Sequence, residues 1–156
     1  MQATPENLPN GTLVSSDRDG QTFFHISRRL IMNQDLNAAG RLFGGRLMEW
    51  VDEASALFCM SQVGTRQIVT KKISEVIFNE PADLGDVLEI LCRVKAVGKS
   101  SMTLECAVVT KIIGAGERKR LIVQCDLVFV AIDKQGRAIA HNYSPENARQ
   151  LNNGEF

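Results

Sequence analysis

Apolar and polar positions alternate through "VLEILCRVKAV". Leu88, Ile90, Cys92, Val94 and Ala96 fall on one face, with Glu89, Leu91, Arg93 and Lys95 between them. Side chains of a strand point to opposite sides in turn, so this pattern predicts a strand with one face in a core. After the tight turn "GKSS", "MTLECAVVTKII" repeats it with Met102, Leu104, Cys106 and Val108 inward. "GAGERKR", with Gly114 and Gly116 flanking the bend, reads as a hairpin tip. "LIVQCDLVFVAID" is a third long strand, ended by the turn "DKQGR". "TFFHISRRLI" and "QIVTKKISEVIF" have strand composition, the second rich in β-branched residues. "EPADLGD" between strands is a turn, with Pro81 and Gly85 as its breaks. From Gly44 to about Gln62 the period becomes helical. Long strands in consecutive hairpins and one helix predict an α+β fold: a mostly antiparallel sheet wrapped on a long central helix. One helix covers only part of such a sheet, so a second copy is expected to cover the rest.

On a helical wheel the apolar arc holds Leu47, Trp50, Val51, Ala54, Leu57 and Phe58, and continues through Met48, Ser55 and Cys59. Arg46, Glu49 and Glu53 share the wet side. Asp52 stands last in the apolar arc, with Met48, Ser55 and Cys59 as its neighbours along the helix. Two readings are open at this point. Asp52 is a boundary charge reaching water, or a partly desolvated carboxylate that makes a better base. Helix propensity does not explain it, because aspartate is a poor mid-helix residue. The helix begins through "FGG". Gly44 and Gly45 put backbone N–H groups without intrahelical partners at the positive end of the dipole, where they can hold a carbonyl oxygen or an anion. The plainer reading is that the glycines only turn the chain and allow close packing.

Composition narrows the field. Eighteen basic residues balance eighteen acidic ones, so nothing electrostatic favours nucleic acid or an anionic membrane. No apolar run reaches membrane-spanning length. "MQATPENLPNG" has neither a basic region nor an apolar core and does not read as a secretory signal, and the chain is expected to be cytoplasmic. Cys59, Cys92, Cys106 and Cys125 each sit in an apolar segment without a C-x-x-C pair, which predicts buried free thiols. His25 and His141 stand apart from each other and from any cysteine pair, so no metal is expected. Residues 1–20 and 142–156 are polar and read as a loose arm and tail around a domain at 21–141.

"NAAGRLFGGRLMEWVDEA", then "IVT", "FNEPADLGDVLEI" and "GKSSMTLE", occur in the order and spacing of the hotdog-fold acyl-CoA thioesterases. The chain resembles their acyl-CoA hydrolase branch from about His25 to about Ala140. The N-x-x-G-x-x-F-G-G-x-x-M-x-x-x-D string is the specific part. The resemblance implies acyl-CoA hydrolysis with no cofactor, coenzyme A being part of the substrate. It implies a homodimer through a continuous sheet, with the active site shared between subunits and dimers gathered as a trimer of dimers. Carried onto this sequence, it makes Asp52 the carboxylate, a general base or a nucleophile, and Asn37 the loop residue that orients water or carbonyl. The amides of Gly44 and Gly45 would polarise the thioester. Phe43, Thr70 and the turn Gly98, Lys99, Ser100 and Ser101 would meet the substrate. Glu53, directly after Asp52, departs from the usual small or apolar residue and is a second candidate acid. Arg41 and Arg46 flank the glycines, and "ERKR", Glu117 to Arg120, could meet a phosphate of coenzyme A. Charged surface is the commoner role for both.

Three rivals differ in testable ways. A hotdog dehydratase pairs a histidine with the helix carboxylate, and His25 and His141 stand outside the usual positions. A non-catalytic acyl-CoA binding protein would bind ligand without turnover. A serine hydrolase would need a G-x-S-x-G elbow, which this sequence lacks.

Overall fold

The computed structural model describes residues 14–16 and 22–145. Six strands and one long helix appear in chain order. They are β1 (Val14–Ser16), β2 (Thr22–Leu30), α1 (Gly44–Val63), β3 (Ile68–Phe78), β4 (Val87–Val97), β5 (Ser101–Thr110) and β6 (Leu121–Ala131). All belong to one sheet in the order β1-β2-β4-β5-β6-β3, and every pairing is antiparallel. This is the α+β architecture that the alternating segments predict. β1 falls inside the stretch expected to be a loose arm; the rest of residues 1–20 and the tail from 146 lie outside the described residues.

The register explains the core. Leu88, Ile90 and Cys92 face the helix, as do Met102, Leu104, Cys106 and Val108, and all are buried. They meet Leu47, Val51, Ala54 and Phe58 of α1. Each such large side chain removed from water stabilises the fold by about 1.5–3 kcal/mol. Three cysteines stand side by side across the sheet, Cys92 opposite Cys106 and Cys106 opposite Cys125. All four cysteines are free and buried. Burial pushes the Cys59 thiol up to about 12, so it is no nucleophile.

The helix departs from its wheel at one place. Leu57 is 55% exposed. It follows Glu53 by one helical turn, so it sits above the wet face rather than in the arc. Gln62 and Val63 are buried instead, and Gly64 ends the helix at φ 71°, a left-handed cap that glycine adopts without strain.

β3 is the edge strand at the end of the sheet away from β1. It pairs with β6 on one side only, and nearly all of it is exposed, including Val69, Ile73, Val76, Ile77 and Phe78. The ladder breaks between Ser74 and Ile77, where Glu75 takes φ 55°. From Phe78 the chain must cross the end of the sheet to reach β4. Arg120 pins that crossing, donating to the Pro81 carbonyl at 2.7 Å and pairing with Asp86. An apolar edge with free N–H and C=O groups is a template for another strand.

Candidate active site

Asp52 lies mid-helix and half-buried. Thr70 stands opposite the buried Phe129 in the β3–β6 ladder, which turns its side chain to the helix side of the sheet. Its Oγ1 donates to Asp52 Oδ1 at 2.7 Å. One carboxylate oxygen is thereby held, and the carboxylate keeps further acceptor capacity for a water. Glu53, the second candidate acid, is exposed and bound to Arg29 at 2.6 Å.

The turn Gly98–Ser101 lies at the same end of the sheet. Ala131, opposite Ile68 at the start of β3, donates its N–H to the Ser100 carbonyl at 2.8 Å. The turn closes through Gly98 N–H to the Ser101 carbonyl at 2.8 Å. A side chain at Gly98 would begin 2.5 Å from Ser101 Oγ, so that hydroxyl would have to turn away. His141 braces the turn from outside. Its N–H donates to the Lys99 carbonyl at 3.2 Å. Its Nδ1 accepts from Tyr143 N–H at 3.2 Å, so Nε2 carries the proton donated to the Ser101 carbonyl at 3.0 Å. Sequence reasoning set His141 beside the tail, and no spacing signal marks it. Tyr143, inside the expected tail, packs against the main core.

The remaining candidates gather around the start of α1. Asn37 Oδ1 accepts N–H groups from Ala39 at 2.9 Å and Arg41 at 3.1 Å. Two backbone donors fix which end of the carboxamide is oxygen, and the Nδ2 hydrogens are the donors left to present. Phe43 caps the helix with no side-chain hydrogen bond, and Leu47 is the first residue to bond back to it, at 3.1 Å. The N–H groups of Gly44, Gly45 and Arg46 come before that bond and have no partner within the helix. The Phe43 ring, 56% exposed, folds over Gly45, where a Cβ would lie 2.5 Å from it. Beside Gly44 a cavity of about 350 Å³ is lined by Leu42, Leu47, Phe78, Ala82 and Ile122, with Arg41 and Glu80 at its rim.

The candidate residues thus form two groups in one chain. Asp52, Thr70 and Gly98–Ser101 mark the Ile68 end of β3. Asn37, Phe43, Gly44 and Gly45 mark the Phe78 end. Along α1, Gly44 and Asp52 are ~12 Å apart at 1.5 Å per residue.

The flanking cations are largely engaged by the fold. Arg41 pairs with Asp83 at 2.7 Å and Arg46 with Glu49 at 2.7 Å. Arg118 pairs with Glu80 and Arg120 with Asp86, while Glu117 accepts from Ile113 N–H at 2.8 Å. His25 stands opposite Leu91, in the small cluster on the outer face of the sheet, away from α1 and Asp52. Burial, aided by Arg28, lowers its pKa below 6.5. Among the described residues, no group of three or more His, Cys, Asp or Glu is placed to hold a metal ion.

Residues 39–115 match the family model of the Thioesterase superfamily. An acyl-CoA thioester hydrolase of Haemophilus influenzae, itself uncharacterized, is 31% identical over 116 residues, covering 72% of this chain and 74% of its own. A hexameric broad specificity acyl-coenzyme A thioesterase superposes with TM-score 0.72 at 27% identity, over 81% of this chain and 91% of that one. The acyl-CoA hydrolase of Staphylococcus aureus, solved with butyryl coenzyme A and coenzyme A, superposes with TM-score 0.69 at 27% identity, over 81% and 77% of the two chains. That hydrolase has also been solved as an asparagine-to-alanine and an aspartate-to-alanine variant, and those two residues are spaced as Asn37 and Asp52 are.

Proposed function

We propose that this chain, which belongs to the thioesterase superfamily, hydrolyses acyl-coenzyme A to a free acid and coenzyme A at sites that two copies build together. The observation that carries this reading is the division of the candidate residues between the two ends of β3. One carbonyl cannot meet the Gly44–Gly45 amides and Asp52 of the same helix across ~12 Å. The open edge of β3 resolves this. Two copies joined edge to edge about a two-fold axis in a continuous sheet run antiparallel, so the Ile68 end of one strand meets the Phe78 end of the other. Each pairing then sets Asp52 and Thr70 of the partner subunit beside Asn37, Gly44 and Gly45.

In that combined site the thioester oxygen accepts from the N–H groups of Gly44 and Gly45. Asn37 presents its Nδ2 hydrogens to the carbonyl or the attacking water. Asp52 of the partner subunit takes a proton from the water as its oxygen attacks the carbonyl carbon. The carbonyl π pair moves to oxygen, and the oxyanion is held by the amides, each such donor lowering the barrier by about 3 kcal/mol. Collapse breaks the C–S bond, and the proton on Asp52 passes to the departing coenzyme A thiolate. The partner's turn Gly98–Ser101 lies on the side where coenzyme A leaves. No cofactor enters this sequence. Three such dimers closed around a three-fold axis would give the hexamer. No described helix is long and apolar enough to cross a membrane.

Thiol release from a panel of acyl-CoAs tests the reading. Wild type should turn over, and Asp52→Asn should lose about 10²–10⁴-fold in kcat, the range of a general base. Retained acyl-CoA binding with no wild-type turnover would establish a binding protein instead. One turnover in heavy-oxygen water should label the released acid; unlabelled acid in the first turnover would mean that Asp52 attacks the carbonyl itself.

A further inference from the structure

We infer that the cavity beside Gly44 is the seat of the acyl chain, and that its buried floor makes the enzyme selective for short and medium chains. The inference rests on the thioesterase reading and adds what that reading leaves open, the length of the acyl group. The cavity, about 350 Å³, shares Gly44 with the candidate carbonyl site. A carbonyl held on the amides of the first helical turn therefore has its acyl carbons at the cavity mouth. Gly44 leaves that mouth wider: a Cβ there would stand in ordinary contact with the Phe78 ring, at 3.5 Å.

The lining fits hydrocarbon. Leu42, Leu47, Phe78, Ala82 and Ile122 supply apolar walls. The charges at the rim are neutralised within the fold, Arg41 by Asp83 and Glu80 by Arg118. An alkyl chain entering the cavity thus buries apolar surface without stripping water from a lone charge. The coenzyme A moiety has the opposite character, polar and polyanionic, and belongs outside.

Depth is bounded by side chains that have nowhere to go. Leu47, Ala82 and Ile122 are each only 2% exposed and sit in the main core. The Asn79 N–H to Ile122 carbonyl bond of 2.9 Å ties the crossing loop to β6 at this point. The Phe78 ring, on the edge strand that the pairing of two copies would cover, forms the remaining wall. The volume lies near the lower limit of small-molecule pockets. A chain much longer than the cavity must leave its end in water or displace packed core.

The test is chain-length selectivity, read as ratios of kcat/KM by thiol release with butanoyl-, octanoyl- and hexadecanoyl-CoA. Wild type should favour butanoyl or octanoyl over hexadecanoyl. Ala82→Leu fills the floor and should lower the octanoyl-to-butanoyl ratio at least about tenfold, the discrimination a few methylenes carry in an apolar pocket. Ile122→Val deepens it and should raise that ratio. Should Ala82→Leu not fold, Ala82→Val fills less of the floor and should lower the octanoyl-to-butanoyl ratio by a smaller factor. Folded variants that scale all three substrates equally, or a wild type that favours hexadecanoyl, would overturn the inference while leaving the thioesterase reading intact. Absence of wild-type turnover on every substrate would overturn that reading, and the inference with it.

Discussion

At its Ile68 end, β3 meets the helix through side chains, with Thr70 donating a hydrogen bond to Asp52 at 2.7 Å. At its Phe78 end the same strand contributes an aromatic wall, and the polar groups nearby are backbone, the unpaired N–H groups that open α1. The proposed reaction asks different things of the two ends. A group that moves a proton has to be a titratable side chain, and a long-range hydroxyl holds it in one orientation. A group that only stabilises developing charge is better made of backbone, which has no rotamer to freeze and needs no pKa. Glycine suits the second end because it lets the ligand come close. In the shared-site proposal each end needs the other, and the edge of β3 is the line along which two chains would join them.

The harshest way to break this pairing is a charge between the two ends. Ile73 stands opposite the buried Leu127, on the helix side of the exposed edge. Ile73→Asp should dissociate the edge-to-edge pair and reduce hydrolysis to background, measured by sedimentation together with thiol release. An active monomer would show that one chain suffices.

Thr70 sharpens the comparison within one end. Thr70→Val removes the hydrogen bond to Asp52 and should lower kcat about tenfold, the scale of one bond to a charged group. Thr70→Ser should restore most of that loss, with KM little changed in either variant. Equal loss in both would assign Thr70 to packing rather than to orienting the carboxylate.

His25 lies outside both ends and gives the smallest effect, on stability alone. Burial holds its folded pKa below the ordinary 6.5. As pH falls through 6.5 the unfolded chain takes up the proton first, so the folded state loses stability until its own pKa is passed. His25→Gln should flatten the decline in Tm as pH falls below 6.5 without changing kcat. An unchanged slope would mean that other groups set the acid sensitivity.

Much of the fold was legible because the sheet is half-buried. The period-two pattern in Leu88–Val94 and Met102–Val108 gives strands and inward faces together, and the helical period from Gly44 to about Gln62 ends one residue short of Val63. Strand order was not legible: nothing local in "QIVTKKISEVIF" says that it pairs with β6 at the sheet edge rather than with the strand that follows it. Leu57 misled because a wheel counts an apolar residue as core wherever it falls near the arc. Asp52 could be singled out from its misplaced polarity, but the resemblance offered Thr70 only as a substrate contact, and its hydrogen bond to Asp52 is a tertiary contact that no local pattern shows. His141 gave no signal, because its role is to brace a turn far away in the chain through backbone groups. The division of the site between two ends of β3 is visible only once the strand is placed.

The most direct test mixes two inactive chains. Asn37→Ala cripples the Phe78 end and Asp52→Ala the Ile68 end, so a heterodimer holds one doubly damaged site and one intact site. Subunits exchanged at random in equal amounts should recover about a quarter of wild-type activity, as an isologous pair with two shared sites requires. A verified heterodimer with no recovered activity would contradict the shared site.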